Sequence, residues 1–327
     1  MNYKKLNKIK YLHIIWLWAL CMAAGAQSYQ SLPSFPLRPV RFVLGPAPEL
    51  LPRLVSQKLS ELWGQQVVLD PRPGAGGIVA GDIVAKAAPD GYTWLVSTGS
   101  FYVVDVMSTK HAYNMVRDFA PVTLMATIPF ICVVHPALPV KTMADLVQLA
   151  KAQPGKLNFA SAGTGTTAQL AAELLKIATK TDIVHVPYKG VAAGVTDLLG
   201  GQVQMMFVVA QAAVPHVQSG KLRGLVITSK KRAPATPDVP TTTEAGLPEI
   251  DIVGWNGVSV PKGVSPTRVS KINADVRKVL SPKDMQERLI AAGFEPADTS
   301  IEQFQVFIQK DIKLYERIVR ESKLKLD

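Results

Sequence analysis

The sequence predicts an α/β protein of two lobes, joined by a hinge and separated by an interlobe cleft. Three observations predict it. Short apolar runs alternate with longer amphipathic ones in two successive series. Between the series, around Ala120, the pattern breaks, and Pro121 to Val134 is nearly continuous β-prone sequence. A helical tail from Thr267 onward has no lobe of its own to cover. Such a tail returns to the first lobe, so the chain crosses between lobes twice, and two crossings make a hinge.

In order, Val40 to Leu44 reads as a strand and Glu49 to Trp63 as a helix with Leu51, Val55, Leu59 and Leu62 on one face. Gln66 to Asp70 is the next strand, Gly77 to Ala88 a helix, and Thr93 to Ser97 the strand after it. Strand, helix, strand, helix, strand predicts a parallel sheet covered on both faces. Thr142 opens a helix with Asp145 in its first turn. The second series holds strands at 156–160, 183–187, 203–209 and 222–228, with helices at 167–178, 192–199 and 212–219. A strand is expected at Ile250 to Trp255, and tail helices at 269–280, 285–292 and 301 to about 323. The lobes are then 27–125 plus 252–327, and 126–251.

The 327 residues carry 36 Lys+Arg against 25 Asp+Glu, a formal charge of +11, with 48% hydrophobic and 19% charged residues. Two domains of this size bury their own cores without disulfide or metal staples, and the composition is that of a globular chain. The positive charge invites a nucleic-acid reading, which the N-terminus weakens. Lys4, Lys5, Lys8 and Lys10 precede an apolar stretch from Tyr11 to Ala26, which closes on the small-x-small run Ala24-Gly25-Ala26. This is the layout of a signal peptide, residues 1–26, whose cleavage leaves 327 − 26 = 301 residues and a charge of 11 − 4 = +7. A membrane anchor needs ~20 apolar residues, more than this His13-containing stretch offers, and Leu20 before Cys21 is wrong for a lipobox. The expectation is an exported, periplasmic protein, where NAD, ATP and CoA are not available as cofactors. The remaining basic groups, Lys230-Lys231-Arg232 and Arg317, Arg320, Lys323 and Lys325, lack an aromatic platform or nucleic-acid motif. They read as solvated faces whose field helps gather anionic solutes.

Open α/β sheets bind ligands at the carboxyl ends of their strands. Three loops there stand out: Gly45-Pro46-Ala47-Pro48, Thr98-Gly99-Ser100, and Ser161-Ala162-Gly163-Thr164-Gly165-Thr166-Thr167. In the third, glycines let the backbone approach a ligand, first-turn N–H groups have no helical partner, and hydroxyls add donors. That chemistry captures an anion, most simply a carboxylate. The plainer reading is that Ser and Thr only cap the helix. Gly163 to Ala168 also matches G-x-G-x-x-A weakly, against which secretion argues. Pro73 to Gly77 lacks the Lys-Ser/Thr of a P-loop and reads as a turn. His111, His135, His185 and His216 show no metal spacing, so no metal site is expected. No G-x-S-x-G elbow surrounds Ser161. Cys132, within Phe130 to Val134, reads as a buried strand residue.

The runs Arg72-Pro73-Gly74-Ala75-Gly76-Gly77, Ala87-Ala88-Pro89-Asp90-Gly91-Tyr92-Thr93, Asp118-Phe119-Ala120-Pro121-Val122-Thr123, His185-Val186-Pro187-Tyr188-Lys189-Gly190 and Glu244-Ala245-Gly246-Leu247-Pro248 carry a resemblance. In this order, the chain from about Phe35 to Phe294 resembles the Bug (TctC) family of exported solute-binding proteins. The resemblance implies a type II periplasmic binding-protein fold holding a small carboxylate between its lobes. It also implies as partners the membrane components of a tripartite tricarboxylate transporter, or a sensor protein; a monomer is expected. The ligand would meet Gly45, Pro46 and Ala47, Thr98, Gly99 and Ser100, then Ser161, Gly163, Thr164, Gly165, Thr166 and Thr167, with Tyr188 and Val208 beside them. The chain departs from the family pattern in places. The first loop is shortened, and Pro52 in what should be the first helical turn predicts a later helix start with fewer amides. Gln169 stands where members often have His, and Val208 and Val209 where many have the Asp that recognises a ligand amine. A simple carboxylate is therefore favoured over an amino acid. Competing readings are an exported α/β hydrolase using Ser161, and a degenerate member acting as an interaction module.

Overall fold

The computed structural model describes residues 35–45, 47–72, 77–108, 110 and 112–326. The expected signal segment 1–26, Pro46, residues 73–76 of the glycine cluster and His111 lie outside the described residues. From Arg38 onward the chain forms one compact unit, built on two sheets.

The first sheet has the order β11-β4-β10-β3-β1-β2. β1 (Val40–Leu44), β2 (Val67–Pro71) and β3 (Thr93–Ser97) run parallel, joined through α1 (Leu50–Trp63) and α2 (Ile78–Ala85). β4 (Phe119–Ile128), β10 (Gly254–Pro261) and the two-residue β11 (Glu295–Pro296) are antiparallel additions. The sheet is therefore mixed, where the alternation predicted a parallel one. It also recruits β10 from after the second lobe. The strand expected at 250–255 lies at 254–261: Ile250 and Ile252 are buried anchors of the approach, and pairing on both edges carries the Asn and Gly of β10 despite their weak strand preference.

The second sheet, β7-β6-β8-β5-β9, takes β5 (Phe130–Val134), β6 (Asn158–Ser161), β7 (Val184–Pro187), β8 (Met205–Val209) and β9 (Arg223–Ile227). Pro129 alone separates β4 from β5, so what reads as one β-prone run splits between the sheets. Helices α4 (Met143–Ala152), α5 (Thr167–Thr179), α6 (Val191–Leu199) and α7 (Ala210–Gln218) accompany it. Thr142 and Asp145 form a capping box at the start of α4.

One helix escapes sequence reading altogether. α3 (Gly99–Met107) follows β3 directly, and Gly99 to Val104 are all buried. A short segment rich in Phe, Tyr and Val, without a polar stripe, carries no helical period. Its Phe101 ring fills the space between Gly45 and Gly77: a Cβ would come within 2.6 Å of it at Gly45 and 2.7 Å at Gly77. Proline did not delay α1. The helix begins at Leu50, and Pro52 sits in the first turn, where an N–H would have no helical partner in any case.

The tail forms α8 (Pro266–Leu280), α9 (Lys283–Ala291) and α10 (Ile301–Ser322). α10 packs on β4 and α3 of the first lobe and also on α5 of the second. Its Phe304 and Phe307 meet Trp255 of β10 edge-on, at 5.6 and 5.8 Å between ring centroids. Full burial of such a side chain is worth about 1.5–3 kcal/mol. Cys132 is buried in β5, and desolvation pushes its thiol pKa up. Among the described residues no helix is long and apolar enough to cross a membrane.

Candidate functional site

Two helix N-termini, one from each lobe, meet at Gly99. A Cβ on Gly99 would lie 2.4 Å from the Tyr315 hydroxyl, 2.6 Å from Thr167 Cγ2 and 3.2 Å from Trp255 Nε1. Only glycine allows this approach of the α3 start to the α5 start. Each N-terminus carries roughly half a positive charge, and neither first turn contains an acidic residue to offset it. Among the described residues the amides of Ser100, Thr167 and Ala168 have no acceptor. Thr98, the N-cap residue of α3, makes no capping hydrogen bond. Its Oγ1 is buried with no partner at all.

The second-lobe loop is built differently. Thr166 caps α5, accepting from Gln169 N (3.3 Å) and donating to Gly163 O (2.9 Å). Gly163 N donates to Ser161 Oγ (3.1 Å), and Gly165 N to Gln169 Oε1 (2.9 Å). These glycine amides, expected to face a ligand, are engaged by the loop itself. Because an N–H can only donate, Gln169 Oε1 faces Gly165, and its Nε2 donates to His185 Nδ1 (3.3 Å). His185 therefore carries its proton on Nε2 and donates it to Ser161 Oγ (2.6 Å), whose own hydrogen goes to Gly163 O (3.1 Å). Burial, with the nearby Lys176 charge, lowers the His185 pKa to about 4. The ring stacks on Phe159 at 4.8 Å. Sequence reading placed His185 only as a packed or loop residue; its register beside Phe159 in the β6–β7 pair brings it to Ser161.

A serine beside a histidine raises the question of a nucleophile. The geometry opposes it. Ser161 is 0% exposed, the histidine donates to it where a base would accept, and Gln169 rather than a carboxylate stands at Nδ1.

Near Gly99 lies a second buried network. Asp311 accepts from Trp255 Nε1 (2.7 Å) and Tyr315 OH (2.8 Å). Burial raises its pKa to about 6, against the lowering effect of those hydrogen bonds. The i,i+4 spacing of Asp311 and Tyr315 is visible in the sequence, but their position under the α3 start is not.

Of the other expected site residues, Gly45 and Ala47 sit in a tight turn (Ala47 N to Gly45 O, 2.9 Å), and Thr164 is half-buried in the second loop. The Tyr188 phenol donates to Asp197 (2.8 Å). Val208 is in the core, opposite Ile131 in the β5–β8 ladder and 1% exposed. Its side chain packs in the core of the second sheet with Ile131 and Ala160.

A cavity of about 620 Å³ elsewhere, lined by Thr228 to Arg232, Thr241 to Glu244, Pro248 and Asp251, shares no residue with this junction. The hydroxyls of Thr228, Ser229, Thr241 and Thr242 are already bonded, and Arg232 pairs with Glu244 (2.9 Å). No group of three His, Cys, Asp or Glu among the described residues is placed to hold a metal ion.

Fold and junction together define a two-lobed α/β solute-binding protein. Residues 51–324 match the tripartite tricarboxylate transporter family receptor, TctC, and the chain belongs to that family. It is 32% identical to protein BugT of Bordetella pertussis, over 98% of this chain and 100% of the relative. Among solved structures, R. palustris Rpa4515 with adipate superposes with a TM-score of 0.83 at 31% identity, covering 89% of this chain and 99% of the other. MatC from Rhodopseudomonas palustris with bound malate does so at 0.80 and 31%, covering 87% and 100%.

Proposed function

We propose that this protein is an exported, periplasmic solute-binding protein that captures a small carboxylate between its lobes and hands it on unchanged. The observation that carries this is the convergence of the α3 and α5 N-termini at Gly99 and Thr167, with unpartnered amides on both and a buried, unpartnered hydroxyl on Thr98. An anion placed there is attracted by both positive ends at once. Binding then favours the lobe arrangement in which both touch it. Adipate and malate in two structural neighbours support the carboxylate class.

We take the first lobe as 27–125 with 252–327, the second as 126–251, and residues 1–26 as the signal. Family membership supports the membrane components of a tripartite transporter, or a sensor protein, as partners. The binding residues are Thr98, Gly99, Ser100, Thr164, Thr166 and Thr167, together with Gly45 and Ala47 of the first loop. Titration of the purified protein with mono-, di- and tricarboxylates, read by melting temperature and tryptophan fluorescence, should give saturable stabilisation without turnover. Product formation that is lost in Ser161→Ala would replace this account with a hydrolase, and silence across the whole panel with an interaction module.

A further inference from the structure

The β3–β10 ladder pairs Ser97 with Gly257 at its end, so Thr98, the residue after Ser97, and Asn256, the residue before Gly257, flank that last pair. Alternation fixes which way these two side chains turn. Ser97 and Ser259 share a hydrogen bond on one face, and on that face Trp255 meets α10. Thr98 and Asn256 belong to the opposite face. Asn256 is 0% exposed, and neither its Nδ2 nor its Oδ1 has a partner; Thr98 is 6% exposed, and its Oγ1 has none either. Three orphaned polar atoms on two residues that flank one ladder pair are unusual, because each buried polar group left unbonded destabilises the fold. They lie at the carboxyl end of β3, where α3 begins.

We infer that Asn256 and Thr98 form a recognition element for a hydroxyl group on the bound carboxylate, so that the ligand is a hydroxy acid. This rests on the carboxylate reading above and narrows it. An amide side chain offers a donor and an acceptor together, and a hydroxyl is the smallest ligand group that answers both. A carboxylate only accepts and would leave Oδ1 unbonded. An ammonium only donates and would leave Nδ2 unbonded. A site built to bond a ligand hydroxyl rejects the analogue lacking it, since its own buried groups then stay unpaired.

The test is calorimetric titration with matched pairs that differ by one hydroxyl: malate against succinate, and lactate against propionate. The full mature protein should bind the hydroxy member of a pair at least ~10-fold more tightly. Asn256→Leu should bring the two members to within about threefold of each other, chiefly by weakening the hydroxy member. Its unliganded melting temperature should hold or rise, because two unpaired polar atoms are removed. Should Asn256→Leu fail to fold, Thr98→Val, which removes one hydroxyl at similar volume, must narrow the same ratio. Equal affinity for both members in the wild type overturns the inference and leaves carboxylate binding intact. So does a preference that both substitutions leave untouched, which would place the hydroxyl elsewhere. Binding of no carboxylate at all overturns the parent reading as well.

Discussion

The two halves of the junction handle their polar groups in opposite ways. In the second lobe, Ser161, Gly163, Gly165, Gln169 and His185 bond to one another in a closed relay, and Thr166 completes it. In the first lobe, the side chains of Thr98 and Asn256 are buried and bond to nothing. The difference separates two roles. A satisfied network fixes a shape, here the loop that presents Thr164 and Thr167. Unsatisfied buried groups reduce stability until a ligand bonds them, which is how a site comes to discriminate. On the proposed reading, recognition rests mostly on the first lobe, and the second supplies a fixed counter-surface.

The contrast can be broken at several points. The largest effect is expected at Gly99, where the halves touch. Gly99→Val forces a side chain against Tyr315 and Thr167 and should destabilise by about 3 kcal/mol, abolishing carboxylate stabilisation in a thermal-shift assay. Next comes Asp311 beneath the first-lobe side. Its folded pKa of about 6 exceeds the unfolded 3.8, so the folded state holds the proton more tightly and stability rises as pH falls from about 6 toward 4. Wild type should gain about 2 kcal/mol on Asp311→Asn over that window, measured by denaturant unfolding at each pH.

His185 works in the opposite sense. Its folded pKa of about 4 lies below 6.5, so its contribution is complete above pH 6.5 and is lost as pH falls toward 4. His185→Leu should cost about 1–2 kcal/mol at pH 7 by leaving Ser161 and Gln169 unpaired, and the gap to wild type should close in acid. The smallest effect is local: Thr166→Ala removes the α5 cap and should cost about 1 kcal/mol.

How much of this was legible in the sequence follows from where the controlling interactions lie. The α5 start, with glycine and hydroxyl residues leading into an amphipathic helix, is a local signal, and sequence reading located it to the residue. The α3 helix was invisible because its apolar sequence has no exposed face to create a period; burial on all sides stabilises it. Asn256 is one of two polar residues, with Ser259, in an otherwise apolar strand. Thr98 comes near it only because β10 inserts beside β3, more than 150 residues away in sequence. Val208 is placed at the site by family position, and its burial in β8 opposite Ile131 comes from pairing with a strand about 75 residues earlier. His185 and Asp311 were named or passed over as ordinary residues for the same reason: their partners come from other elements.

The claim that a carboxylate sits between the two helix ends is tested most directly by an amide NMR titration of the mature protein with malate. The largest shifts should fall on the N–H groups of Ser100, Thr167 and Ala168, with Gly163 and Gly165 moving less because their hydrogen bonds are already made. Shifts confined to the basic cavity at Lys230 to Arg232, with the helix ends unmoved, would contradict it.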